Sequence, residues 1–89
     1  MDLVRHYRNI PWSGDAKYWY DLAVKNNFEV GNKPQKNAIW VTEGGKHGHI
    51  ALVIEIYKNS FLVLEQNVQG RWIVSTRIIK LEDNMLFIY

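Results

Sequence analysis

Gly48-His49-Ile50-Ala51-Leu52-Val53 opens an apolar run with a histidine, and Leu64-Glu65-Gln66-Asn67 closes the next run with a carboxylate and a carboxamide. Residues 49–57 and 61–67 are rich in β-branched and aliphatic side chains. The polar Lys58-Asn59-Ser60 between them predicts a hairpin. A histidine moves protons near neutral pH, and a neighbouring carboxylate or amide can fix its tautomer and ring orientation. Whether the two meet turns on register. Alternation puts His49, Ala51 and Val53 on one face of their strand, and Val63, Glu65 and Asn67 on one face of theirs. A two-residue turn at Lys58-Asn59 pairs Tyr57 with Ser60 and sends His49 and Glu65 to opposite sides. A three-residue loop or a bulge brings them to the same side. A working pair needs the second arrangement, so the expectation is a longer loop or a bulge near 58–60.

Outward from this hairpin the chain keeps its β character. Residues 38–42 form a strand, and Glu43-Gly44-Gly45-Lys46-His47-Gly48 is a Gly-rich connection into His49. Gln69-Gly70 turns into a strand over 71–79, and 86–89 is a short last one. Upstream the period changes. Ala16, Trp19, Tyr20 and Ala23 recur at helical spacing and predict a helix over 16–25, with Ser13 or Asp15 as cap and Asn26-Asn27 as its end. Its apolar face is expected on the sheet, with Lys17, Asp21 and Lys25 toward solvent. Leu3, Val4 and Tyr7 give 1–8 the look of a helix tail without an N-cap. Ile10-Pro11-Trp12-Ser13-Gly14 interrupts the two helices, and Gly31-Asn32-Lys33-Pro34-Gln35-Lys36-Asn37 is turn-rich and reads as a loop. Helices first and a strand meander afterwards predict one α+β domain over 1–89. It has two N-terminal helices packed on one face of an antiparallel sheet of about five strands.

Composition narrows the function. Apolar residues make up 47% of the chain, and four Trp, five Tyr and three Phe in 89 residues demand a packed core. The net charge is only +2 with Lys and Arg scattered, which leaves no nucleic-acid footprint. Cysteine is absent, so disulfides, zinc-thiolate sites and a cysteine nucleophile are excluded within these residues. The start Met1-Asp2-Leu3-Val4-Arg5 lacks a signal-peptide pattern, and the apolar runs are strand-sized, so no membrane span is expected. His47 and His49 lack a third ligand at useful spacing, so neither a metal nor a cofactor is expected. Gly44-Gly45 lacks the following helix that a phosphate loop needs.

Taken singly, each polar residue has an ordinary structural role. His49 can be a strand-end histidine bonded to a carbonyl, and Glu65 a solvated or salt-bridged edge residue. The aromatic group Trp12, Tyr18, Trp19 and Tyr20 suits a core, with Trp12, beside Gly14, the best candidate for a groove wall.

Taken together, three stretches resemble the CHAP family, the cysteine- and histidine-dependent amidohydrolases and peptidases of bacterial and phage wall-lytic enzymes. Trp12-Ser13-Gly14-Asp15-Ala16 is similar to that family's Trp-Gly-Asn-Ala segment, and Gly48-His49-Ile50-Ala51 to its Gly-His-Val-Ala motif. Leu64-Glu65-Gln66-Asn67 is similar to its Glu-x-Asn motif, and the order of the three matches. The resemblance implies a papain-like (CHAP/NlpC-type) fold. It makes His49 the general base and Glu65 and Asn67 its orienting groups, with Trp12, Gly48 and Gln66 in a groove for peptidoglycan peptides. It also implies muramoyl-alanine amidase or endopeptidase chemistry at a bacterial cell wall. Two departures stand out. Pro34-Gln35-Lys36-Asn37-Ala38 replaces the family's Pro-x-Gly-Asp. The family's nucleophile opens the first helix within Gln-Cys-x-Asp-Leu-Val, whereas this sequence begins Met1-Asp2-Leu3-Val4, one position past it. The expectation is a truncated, inactive domain. It could be a frame opened at an internal Met, a wall-binding module without catalysis, or one part of a split enzyme. Apolar surface left by a missing helix would favour a homodimer or a completing partner segment.

Overall fold

The expected alternation is realised as an antiparallel sheet, though of six strands. The computed structural model describes residues 8, 10–12, 15–42, 48–68 and 72–89. The strands are β1 (Val30–Gly31), β2 (Ile39–Thr42), β3 (His49–Ile56), β4 (Ser60–Val68), β5 (Trp72–Lys80) and β6 (Leu86–Ile88), in spatial order β1-β6-β2-β3-β4-β5. Every pairing is antiparallel. The count of about five missed β1. Two residues are too few to show alternation, and this strand exists because Val30 and Gly31 find Ile88 and Phe87 across the sequence. Its glycine makes room for a neighbour: a Cβ on Gly31 would lie 2.5 Å from the Tyr89 hydroxyl, which reaches over to donate to the Lys33 carbonyl at 2.7 Å.

Among the described residues there is one α-helix, α1 (Trp19–Lys25), entered through a 3-10 turn at Ala16–Tyr18. The expected helix over 1–8 lies outside the described residues, apart from Arg8. Tyr18 occupies the N-cap of α1 without a side-chain capping bond, and its amide closes the tight turn on the Asp15 carbonyl at 3.1 Å. Ser13 lies outside the described residues. The end at Asn26-Asn27 is as expected. Asn27 takes φ +65°, and the amides of Asn27 and Phe28 bond the carbonyls of Val24 and Ala23, the double bond of a Schellman motif.

The sheet divides the interior. On one face Ile39, Val41, Ile50 and Ile88 meet Trp19 and Ala23 of α1, together with Ile10 and Trp12. Tyr20 is half-buried against the same cluster, and Asp21 and Lys25 are exposed, as the helical period required. On the other face Ala38, Trp40, Ala51, Val53, Phe61, Val63 and Phe87 form a second cluster. Trp40, Phe61 and Phe87 stack edge to face in sequence, with centroids 5.6 and 5.5 Å apart. Burial on both faces explains why β2 and the first half of β3 read as continuous apolar runs.

The β3–β4 hairpin settles the register. The Tyr57 amide bonds the Ser60 carbonyl at 2.8 Å, so the turn is the two-residue one at Lys58-Asn59. Ile56 faces Phe61 and Glu55 faces Leu62, but Val53 faces Val63. Ile54 is therefore an extra residue in β3. The bulge exists, but in mid-strand and not near the turn. It reverses the parity that the short turn would otherwise impose and returns His49 to the face of Glu65.

Trp19 is fully buried beneath this sheet. Trp19→Ala should cost roughly 3–5 kcal/mol, as other large aromatic deletions do. Urea unfolding measures it; a loss below about 1 kcal/mol would contradict the packing described.

Candidate functional site

The site begins with a glycine. Gly48 takes φ +70°, and a Cβ there would lie 2.5 Å from the Lys17 amide nitrogen and 2.6 Å from the Thr42 carbonyl oxygen. Only glycine lets the 3-10 turn ahead of α1 and the end of β2 close on the start of β3. Thr42 then pairs with His49 in the ladder, and its hydroxyl donates to the His49 carbonyl at 3.3 Å. The first residue of β3 is thereby held from both sides.

His49 and Glu65 meet. His49 Nε2 lies 2.8 Å from Glu65 Oε1. The imidazole is partly exposed, whereas Glu65 is only 8% exposed and is the sole charged residue among the buried ones described. A buried carboxylate must be satisfied, and a third residue does it. Arg77 of β5 donates from Nη2 to Oε1 at 3.0 Å, and its Nε makes an ion-pair contact with Oε2, also at 3.0 Å. The two nitrogens of one guanidinium thus engage both oxygens of one carboxylate. Burial pushes the Glu65 carboxyl upward, but the hydrogen bonds from His49 and Arg77 and the charge of Arg77 outweigh it and hold the group below its ordinary value. An ionised carboxylate has no hydrogen to give. The hydrogen in the 2.8 Å contact belongs to His49 Nε2, and the lone pair of the neutral ring is left on Nδ1, turned away from Glu65.

Arg77 was missed by the sequence reading. Its strand carries scattered charge and looks like a solvated edge. A signal was present nonetheless: Ser75, Arg77 and Ile79 alternate, and Arg77 is the only charge in that set. The ladder sets Glu65 opposite Ser75 and Val63 opposite Arg77, so Glu65 and Arg77 are diagonal neighbours on one face. The guanidinium also lies over the Trp40 ring, 5.9 Å from its centroid.

The other expected residues fare differently. Asn67 occupies β4 opposite Ile73, and Gln66 lies opposite Val74; the side chains of both lie outside the described residues, as does His47. Trp12, the expected groove wall, is buried in the helix-side core, edge to face with Trp19 at 5.9 Å and Phe28 at 4.9 Å. The tryptophan on the His49 side is Trp40. With Thr42 and residues 82–86 it lines a cavity of about 390 Å³. Gly48 serves as a close-packing point for the backbone. Among the described residues no three His, Cys, Asp or Glu side chains cluster to hold a metal, and no helix is long and apolar enough to cross a membrane.

Sheet, helix and site together define an α+β domain that presents a histidine backed by a buried carboxylate. The CHAP domain model matches residues 1–67, and the chain belongs to that family. It is 37% identical over 68 residues to the staphylococcal secretory antigen SsaA of Staphylococcus epidermidis, covering 74% of this chain and 26% of that protein. It is 33% identical over 73 residues to an N-acetylmuramoyl-L-alanine amidase domain-containing protein of Staphylococcus aureus, covering 74% of this chain and 12% of that one. The crystal structure of an N-acetylmuramoyl-L-alanine amidase from S. aureus superposes with a TM-score of 0.77 at 30% identity, over 84% of this chain and 24% of that one. The chain thus spans about a quarter or less of the length of these relatives.

The lowered Glu65 titration has a signed consequence. A carboxyl held below its ordinary value of 4.5 contributes stability that is complete above that value. The contribution is lost as pH falls from there through the folded-state value. Glu65→Gln should therefore flatten this part of the acid limb of a stability profile. Parallel profiles for the two proteins across that window would contradict the ion-pair assignment.

Proposed function

We propose that this chain carries the base half of a peptidoglycan hydrolase site, of the N-acetylmuramoyl-L-alanine amidase or peptidoglycan endopeptidase kind. The observation that carries the reading is the 2.8 Å contact from His49 Nε2 to Glu65, which leaves the other ring nitrogen on the far side without a hydrogen-bond partner among the described residues. The family membership and the amidase relatives support the substrate class. In this reading a thiol gives its proton to His49 Nδ1, and the thiolate attacks the amide carbonyl of a wall peptide. His49 returns the proton to the departing amine as the carbon–nitrogen bond breaks, leaving a thioester. A water molecule, deprotonated by the same nitrogen, then releases the acid and restores the thiol. Glu65 keeps the ring in the required tautomer throughout, and Asn67 assists in orienting it.

The 89 residues contain no cysteine, so the thiol has to come from residues outside them. The isolated chain should leave purified peptidoglycan intact. A version extended upstream, with a cysteine immediately before Met1, should gain hydrolysis. In it His49→Ala should abolish turnover, because base and nucleophile act as one unit. Release of soluble fragments from walls measures all three proteins. Cleavage by the unextended chain would refute the proposal. Binding without cleavage by the extended protein would favour a wall-binding module, and activity only with a second chain would identify a split enzyme.

A further inference from the structure

We infer that Arg77 is a positioning residue for the His49–Glu65 pair, one that fixes the carboxylate in place and offsets its charge so that His49 remains a usable base. The inference rests on the reading of His49 as a base and adds a member to that site.

The geometric part follows from the fork. Glu65 Oε1 accepts from both His49 and Arg77, while Oε2 lies 3.0 Å from Arg77 Nε in an ion-pair contact. A carboxylate engaged at both oxygens by a planar guanidinium cannot rotate away from the histidine without breaking a charge-assisted bond and an ion-pair contact. The guanidinium is itself oriented. It lies over Trp40, and Trp40 is 8% exposed and locked edge to face against Phe61 in the second core cluster. The orientation of the catalytic candidate is thus referred, through Arg77, to the aromatic core.

The electrostatic part follows from charge balance. A lone carboxylate 2.8 Å from an imidazole stabilises the imidazolium, and a histidine that keeps its proton is a poor acceptor for another. A cation on the far side of the carboxylate weakens that effect. Among the described residues the charged groups around His49 are Glu65 from β4, Arg77 beyond it from β5, and Lys17 on the turn beneath Gly48. The Lys17 ammonium is directed over the Tyr18 ring, 5.1 Å from its centroid. Arg77 is therefore the cation placed to act through Glu65.

The test reads the His49 ring by NMR titration in the 89-residue chain, so its result does not depend on turnover. Arg77→Gln should raise the His49 midpoint by about half a pH unit or more, roughly a threefold or greater gain in proton affinity. Arg77→Lys, which keeps the charge, should restore most of the wild-type value. Arg77→Met retains an apolar stem against Trp40 and serves if Arg77→Gln does not fold. A purely architectural Arg77 predicts the opposite sign: Glu65 would drift from the ring and the His49 midpoint would fall. In a Glu65→Gln background the effect of Arg77→Gln should shrink. A midpoint that falls or stays unchanged on removing Arg77 overturns the inference, and so does a shift that persists at full size without the Glu65 carboxylate.

Discussion

The arrangement depends on one surplus residue in β3. With a two-residue turn at Lys58-Asn59, an unbroken ladder would turn His49 toward Trp19 and the helix-side core, and Glu65 away from it. Ile54 absorbs one position and reverses that parity for everything nearer His49. On its other edge the ladder to β2 runs on regularly past this point. Val53, at the edge of the irregularity, donates its amide to the Ala38 carbonyl and accepts the Asn37 amide, both at 2.8 Å. Asn37 adopts φ +72° to make this turn of the chain.

Because the bulge sorts the two faces, the sheet can carry an apolar helix contact on one side and a charged site on the other. Among the described residues the helix-side cluster holds no charged side chain. The other side must bury Glu65 beside an aromatic cluster, which is tolerable only for a carboxylate whose lone pairs are occupied. Two hydrogen bonds, one from His49 and one from Arg77, and a further ion-pair contact from Arg77 supply this. The relevant chemistry therefore sits where a packed core and an ion pair share a boundary, and Trp40 belongs to both.

Much of this was legible in the residues. The strand pattern, the helix over Trp19–Lys25 with its buried face, and the pairing of His49 with Glu65 all follow from periodicity and from what a histidine needs in order to function. What escaped were features set by distant partners. β1 is two residues long and owes its existence to Ile88 and Phe87. Arg77 declares itself only once β5 is in register with β4. Trp12 and Trp40 are both flanked by turn or strand signals that composition cannot rank, and only the face each occupies separates core from site. The position of the bulge was equally silent, since Ile54 resembles any other apolar residue of its strand.

The placement of β6 bears on how the molecule is made. Leu86–Ile88 lies between β1 and β2, so the earliest strand described is joined to the sheet solely through the latest. A ribosome emits β2 to β5 as a growing series of neighbours, but β1 has no ladder partner until β6 has left the exit tunnel. During synthesis the edge of β2 is open, an aggregation-prone template that the nascent chain must keep covered or unvisited. Completion of the sheet is therefore a late, long-range closure, and the rate of folding is expected to follow that step more than any local hairpin.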